Sequence, residues 1–218
     1  MEIMGMELQR LNHACFKLKA GKKVVYFDPY EIEDVEPADL ILISHDHYDH
    51  CSPADIMRVA TKRTTIVAAE GCMDALRPLD GRVHQIIFTN AGDKTTMQDY
   101  VIESVPAYNL DKFKSPGEPF HPKGTERCGF VLEVAGRRIY HAGDTDAIPE
   151  MDDLAAIDIA LLPVSGTYVM TATEAADAVR RIRPKVAVPM HYGAIVGTAR
   201  DAKNFWNKAK SLTQVLVL

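Results

Sequence analysis

Six consecutive residues near position 45 carry the side chains with the greatest chemical potential in the chain. Three histidines and two aspartates lie within this run, which reads His45-Asp46-His47-Tyr48-Asp49-His50. Imidazole and carboxylate groups are the side chains that bind divalent metals at neutral pH. So many of them in six residues indicate a metal site rather than a solvated polar loop.

A short apolar strand is predicted to bring this run to the edge of a sheet. Residues 39–44 read DLILIS, a length and composition typical of a buried strand. Alternate side chains of an extended chain point the same way, so His45 and His47 can share one metal. A turn into the next helix lets Asp49 and His50 face a second metal. Asp46 points away from His45 and His47 and could act as a proton carrier or as an anchor for the ligands.

Short strands and a few amphipathic helices are predicted for the rest of the chain. Pro53 opens a helix with Ser52 as its N-cap, and helices are also expected over residues 71–79, 173–183 and 199–210. Strands are predicted for residues 7–11, 15–18, 23–27, 64–69, 84–88, 100–106, 128–134, 137–141, 158–163, 186–189 and 214–218. This order predicts an α/β fold, an αββα sandwich of two mixed β-sheets with flanking helices, as one domain over residues 1–218.

Composition excludes several classes of protein. With 47% hydrophobic residues, 218 residues can build a core without disulfides, and four scattered cysteines without a CxxC pair argue against a structural zinc knot. A net charge of −5 gives no indication of disorder or of a nucleic-acid partner. The N-terminus lacks the apolar core of a signal peptide, and no apolar run is long enough for a membrane span. We therefore expect a cytoplasmic protein.

Four further motifs, two before the metal-binding run and two after it, occur in the order expected of one known family. They are Asn12-His13-Ala14-Cys15-Phe16, Phe27-Asp28-Pro29, Tyr140-His141-Ala142-Gly143-Asp144-Thr145 and Pro189-Met190-His191-Tyr192-Gly193. With HxHxDH after an apolar strand, the chain resembles the metallo-β-lactamase superfamily over essentially its whole length. It is most similar to the small stand-alone hydrolases that include ascorbate-6-phosphate lactonase and, more distantly, N-acylphosphatidylethanolamine phospholipase D.

The resemblance implies two adjacent metal ions. Asp144 matches the carboxylate that bridges both metals, and His191 would complete the second site with Asp49 and His50. The first site departs from the family pattern, because the usual third histidine is replaced by Ala107-Tyr108-Asn109. We expect the long loop over residues 108–127 to fold back and bring His121 to this metal. The alternative is a site one histidine short, with Asn109 or water in its place.

Several other residues are candidates for supporting roles. His13 and Asp28 lie at strand ends, where they could orient the ligand imidazoles, as metal-binding histidines usually require. Ordinary turn and core roles are the alternative for both. Tyr192 could reach a substrate, whereas His141 is expected to pack behind the site.

The implied function is that of a metal-dependent hydrolase. Two divalent metals, zinc first and manganese, nickel or iron as alternatives, would share a hydroxide that attacks a small ester, lactone or phosphodiester. Asp49 would be the catalytic carboxylate that orients this nucleophile. Lys112, Lys114 and Lys123 could meet an anionic small-molecule substrate, but a solvated charged loop is the favoured explanation for these lysines.

Two questions stay open at the level of sequence. A metal-binding regulatory or binding protein with little or no turnover is the alternative function, because the motif histidine is missing. The apolar tail over residues 215–218 completes a sheet edge either within the chain or between subunits of a homo-oligomer.

Overall fold

Two seven-stranded sheets make up the framework of the protein. The structure, a computed structural model, describes residues 1–33, 35–124 and 126–218. The first sheet has the order β1 to β7, with antiparallel pairing up to β4 and parallel pairing from β4 to β7. Its strands are β1 (Glu2–Ile3), β2 (Met6–Asn12), β3 (Cys15–Ala20), β4 (Lys23–Phe27), β5 (Leu40–Ile43), β6 (Thr65–Ala69) and β7 (Gln85–Thr89).

The second sheet repeats this mixture of antiparallel and parallel pairing. In space its order is β16-β15-β14-β13-β12-β9-β8, and a separate hairpin of β10 and β11 lies between β9 and β12 in the chain. The strands are β8 (Lys94–Met97), β9 (Tyr100–Pro106), β10 (Phe113–Ser115), β11 (Glu118–Pro119), β12 (Cys128–Val134), β13 (Arg137–His141), β14 (Ile159–Pro163), β15 (Val186–Met190) and β16 (Gln214–Val215).

Helices connect the parallel strands, and their ends follow the capping chemistry of the sequence. The helices are α1 (Pro53–Val59), α2 (Met73–Leu76), α3 (Ala172–Ile182) and α4 (Ala199–Ala209), with 3₁₀ turns at Glu70–Cys72, Arg77–Leu79 and Pro149–Asp153. Ser52 caps α1 as predicted, accepting from the Asp55 amide. Among the described residues, no helix is long and apolar enough to cross a bilayer.

The predicted sandwich of two mixed sheets with flanking helices is confirmed. Every residue of β5, β6, β14 and β15 is buried, as expected for parallel strands covered on both faces. Strands β1, β8, β10 and β11 were not predicted, because they are short and carry few apolar residues. Strand β16 ends at Val215, three residues before the predicted end.

The carboxyl ends of the central strands meet at one edge of the sandwich. The metal-binding run follows β5, Asp144 follows β13, and His191 follows β15 directly. The turn between β2 and β3 carries His13 to the same edge, where the His191 amide donates to the His13 carbonyl at 3.0 Å. Strand topology therefore brings together residues up to 178 positions apart.

Candidate metal centre

Three imidazoles and one carboxylate form the first group of candidate ligands. One ligand atom from each of His45, His47, His121 and Asp144 lies within 4.8 Å of the other three. His47 Nδ1 is 3.1 Å from His45 Nε2 and 3.4 Å from His121 Nε2. Ligands at ordinary zinc distances in a tetrahedral site lie about 3.4 Å apart, so this spacing suits a metal. His47 would bind through Nδ1, and His45 and His121 through Nε2.

The second group lies beside the first and contains a residue that we expected only in a supporting role. Ligand atoms of His13, Asp49, His50 and His191 also lie within 4.8 Å of one another. His13 Nε2 is 3.3 Å from Asp49 Oδ2, and His50 Nε2 is 3.7 Å from the same oxygen. His13 is therefore as close to this group as the residues that the family motif marks.

The carboxylate of Asp144 lies between the two groups. Its Oδ2 is 3.4 Å from His121 Nε2 and 3.9 Å from His45 Nε2, on the side of the first group. The same oxygen is 3.2 Å from His191 Nε2, and Oδ1 is 3.3 Å from His50 Nε2. The Asp144 carboxylate thus contacts histidines of both groups, which is the geometry that a bridging carboxylate needs.

Hydrogen bonds to the rear nitrogens fix several imidazoles in place. The buried carboxylate of Asp28 accepts from His50 Nδ1 at 2.7 Å, from the Ser44 hydroxyl at 2.6 Å and from the Ser44 amide at 2.8 Å. Because the Ser44 hydroxyl donates to Asp28, its oxygen can accept from His45 Nδ1 at 3.0 Å. Asp28 therefore anchors His50 directly and His45 through Ser44, which leaves both Nε2 atoms facing the site.

The loop between β9 and β12 brings His121 to the first group, as expected from the sequence, and Asn109 holds it there. Asn109 Oδ1 accepts from the His121 amide at 2.8 Å and from His121 Nδ1 at 3.0 Å. The backbone N–H of Asn109 donates to the His121 carbonyl at 2.8 Å. Asn109, the residue at the place of the usual histidine, thus lies behind His121 and orients it. Ser165 Oγ plays the same part for His191 Nδ1 at 3.1 Å.

Burial lowers the pKa of two candidate histidine ligands, whereas nearby carboxylates raise the pKa of a third. Burial lowers the pKa of His121 to about 4 and holds that of His45 well below its ordinary value, so both are neutral at pH 7, as ligands must be. Burial alone would also lower the pKa of His50, but the carboxylates of Asp144 and Asp28 outweigh it and raise the pKa to about 10. Burial opposes ionisation of Asp144, yet His191 and His50 hold its pKa well below the usual range.

Buried polar atoms without partners test whether these residues suit a metal. His13 Nε2, His50 Nε2, His191 Nε2 and Asp144 Oδ1 are buried and make no hydrogen bond within the described ranges. Leaving such groups unsatisfied costs about 1–3 kcal/mol each. All four atoms face the second group, so a cation there would satisfy them together. The donor set therefore fits a divalent metal.

Strained backbone accompanies the site. Four residues at the site have φ values in the left-handed region that residues other than glycine rarely occupy. They are His13 (+36°), Asp28 (+43°), Tyr168 (+69°) and His191 (+60°). Each such residue costs about 1–3 kcal/mol, and such residues cluster at functional sites. At Gly143 the φ is +62°, and a Cβ would lie 3.1 Å from the Cys128 carbonyl oxygen and from Ser44 Cβ. Glycine at this position lets Asp144 approach the metal-binding run.

The remaining candidate residues lie at different distances from the ligands. Asp46 is exposed and pairs with Arg127 at 3.1 Å, at the rim of the cavity above the site. Tyr192 does not line that cavity, because its ring packs under Arg10 and its hydroxyl donates to the Leu218 carbonyl at 3.1 Å. His141 packs behind the site as expected, stacked on Phe27 and bonded to the Ala14 carbonyl.

Sequence reasoning named Asp28 as a residue that could orient the ligand imidazoles, but it missed two serines in the same position behind a histidine. Ser44 and Ser165 carry no motif of their own, and only their positions, Ser44 beside His45 and Ser165 shortly after β14, could have indicated them. The proximity of His13 to Asp49 depends on a tertiary contact between the β2–β3 turn and β15. The sequence carries no signal of that contact.

Comparisons with known proteins agree with this fold and site. A family model described as the beta-lactamase superfamily domain matches residues 7–191. The UPF0173 metal-dependent hydrolase of Symbiobacterium thermophilum is 32% identical over 215 residues, which cover 92% of this chain and 90% of that protein. That of Thermoplasma acidophilum is 33% identical over 207 residues, which cover 88% and 86%. A crystal structure of a protein described as a metal-dependent hydrolase, from Parabacteroides distasonis, matches with a TM-score of 0.84, 33% identity and coverage of 97% and 92%.

Proposed function

Because the chain belongs to the beta-lactamase superfamily and, within it, to the UPF0173 metal-dependent hydrolases, we propose that it hydrolyses a small ester, lactone or phosphodiester with two metal ions. The position of Asp144 is the observation that carries this proposal. One buried carboxylate contacts histidines of two adjacent ligand groups, a geometry that suits two cations bridged by a shared ligand.

The proposed ligand sets follow from the two groups. His45, His47 and His121 would hold the first metal, and Asp49, His50 and His191 the second, with Asp144 shared between them. His13 is proposed as a further nitrogen donor to the second metal, since its Nε2 is buried, makes no hydrogen bond among the described residues and lies 3.3 Å from Asp49 Oδ2. Mixed imidazole and carboxylate donors suit zinc first, with manganese, nickel or iron as alternatives.

Asp49 is the proposed catalytic carboxylate. Its side chain is 13% exposed and lines the cavity above the ligands, so it can contact both a metal and an incoming water. When bound, two divalent cations supply a hydroxide nucleophile at neutral pH and positive charge for the oxyanion that develops. Asp49 would orient that nucleophile, while Asp46 at the rim can carry a proton to solvent.

Hydrolysis assays with a matched pair of variants test the proposal. Lactone, thioester and bis-nitrophenyl phosphate substrates are offered to the protein loaded with zinc or manganese. Asp49→Ala should reduce kcat/KM at least about 100-fold, because it removes a group that contacts the reacting atoms. Asp177→Ala, which removes an exposed carboxylate on α3 that pairs with Arg180, is the control and should keep wild-type activity.

Two outcomes contradict the proposal. If no substrate turns over with either metal, the protein is better described as a metal-binding regulatory or binding protein. If Asp49→Ala matches the wild type on a substrate that is hydrolysed, the reaction does not use this site.

A further inference from the structure

The cavity above the candidate ligands has walls of a different character from its floor. It has a volume of about 470 Å³, within the range of small-molecule sites. Its floor is the metal-binding side, with His47, Asp49, His121 and Asp144. Its walls include four large apolar or aromatic side chains, Tyr48, Phe120, Tyr168 and Ile195.

Three of these four wall residues are exposed to an extent that is unusual for their size. Tyr48 is 65% exposed, Tyr168 38% and Ile195 37%. Exposed apolar side chains are ordinary when scattered, but several lining one cavity mark a binding surface. Because this surface faces the ligand groups, it lies where the substituents of a substrate would lie.

One aromatic pair of the wall is connected to the metal site itself. The rings of Phe120 and Tyr168 meet edge to face, with centroids 4.7 Å apart. Phe120 directly precedes His121, and the Asn109 side chain that orients His121 also donates to the Tyr168 carbonyl at 2.8 Å. The aromatic wall and the first ligand group therefore share the same anchor, which fixes their relative position.

The cations near the cavity are nearly all neutralised by carboxylates. Lys112 lies 2.9 Å from Glu174 and 3.2 Å from Asp146, and Lys123 lies 2.8 Å from Glu150. Arg127 is occupied by Asp46 at the rim. Of the three loop lysines, only Lys114 lines the cavity. The walls therefore offer little positive charge to a phosphate group outside the metal site.

From these features we infer that the cavity selects substrates with an aromatic or other apolar substituent beside the scissile group. This inference rests on the proposed function and narrows its substrate class to molecules whose substituent is uncharged. Phe120 and Tyr168 are the specificity-determining residues, because they flank the substituent without contacting the reacting atoms. A sugar-phosphate substituent is disfavoured, since its dianion would face apolar walls and a single lysine.

Binding of unreactive carboxylates tests this inference without requiring turnover. The probes 3-phenylpropanoate, butanoate and succinate share one carboxylate for the metal pair and differ in carrying phenyl, methyl or a second carboxylate at the other end. Calorimetric titration into the metal-loaded protein should give an affinity for 3-phenylpropanoate at least about tenfold above both others. Phe120→Ala and Tyr168→Ala should each reduce that preference about three- to tenfold, because each removes one aromatic contact.

A control variant separates the cavity from a general effect of exposed aromatic side chains. Trp206, 39% exposed on α4, does not line the cavity, so Trp206→Ala should leave the preference unchanged. Metal content and melting temperature, measured for every variant, identify any that has lost its site or its fold. The inference is overturned if succinate binds as tightly as 3-phenylpropanoate, or if both wall variants keep the wild-type preference. Failure of all hydrolysis assays with the binding preference intact would instead contradict only the proposed reaction.

Discussion

Replacing Asp28 by asparagine should weaken the second metal site far more than the first. The Asp28 carboxylate is 1% exposed, and its Oδ2 accepts from both His50 Nδ1 and the Ser44 hydroxyl. An asparagine that keeps its oxygen opposite the Ser44 amide places an NH₂ group against His50 Nδ1. His50 must then accept at Nδ1, which moves its proton to Nε2, the nitrogen that faces the metal.

The expected magnitude at the second site follows from the hydrogen bond that His50 Nδ1 loses. A hydrogen bond to a charged group is worth about 1.5–3 kcal/mol, and 1.4 kcal/mol is a factor of ten in affinity. The second metal should therefore bind roughly 10- to 100-fold more weakly, the range usual for partners of ligand histidines. The first metal should lose less than about tenfold, because Asp28 reaches His45 only through Ser44.

Competition with a chromogenic chelator, which resolves the two binding steps, measures this difference. Ser44→Ala is the complementary variant and should weaken mainly the first metal, since Ser44 contacts His45 Nδ1. Asp158→Asn is the control, because Asp158 is another buried carboxylate, which pairs with Lys185 at the end of β14 opposite the site. Wild-type affinity at both sites in Asp28→Asn, or a loss confined to the first site, would refute the reasoning.

Three further predictions concern the ligands themselves. His121→Ala should remove the first metal, which elemental analysis would show as a fall from two ions to one per chain. Asn109→Ala should lower the affinity of that site about tenfold. Unchanged stoichiometry and affinity in His121→Ala would show that the loop histidine is not a ligand. His13→Phe should weaken the second metal and alter the visible spectrum of cobalt bound there, whereas an unchanged spectrum would leave His13 a packing residue. Since the pKa of His50 is about 10 in the metal-free protein, metal binding at pH 7 should release its proton, and metal affinity should rise with pH up to about 10. Calorimetry in buffers of different ionisation enthalpy counts the protons released, and a count of zero would contradict the assignment of His50 as a ligand.

Sequence patterns predicted the sheets and named most of the residues of the two candidate ligand groups, because both depend on local signals. Buried strands such as β5 and β14 are continuous apolar runs, and the capped helix α1 begins with the expected Ser-Pro pair. Short polar strands such as β8 could not be predicted, since they are held by pairing with a neighbour rather than by their own composition.

The parts of the site that depend on tertiary contacts could not be predicted from the sequence. That Asn109 and His121 act together requires the intervening loop to return on itself, and loop paths follow no periodicity. The left-handed backbone of His13 and His191 accompanies the hydrogen bond from the His191 amide to the His13 carbonyl, and residue type does not indicate it because neither position carries glycine. The long loop was expected to be functional, but the aromatic wall it forms with Tyr168 appears only once the fold is known.

Anomalous diffraction from crystals of the metal-loaded protein, recorded on both sides of the metal absorption edge, tests the central claim most directly. We expect two peaks per chain, one in contact with His45, His47 and His121, and the other with Asp49, His50 and His191. Asp144 should contact both peaks. A single peak, or a second peak that does not contact Asp144, would contradict the two-metal centre proposed for this protein.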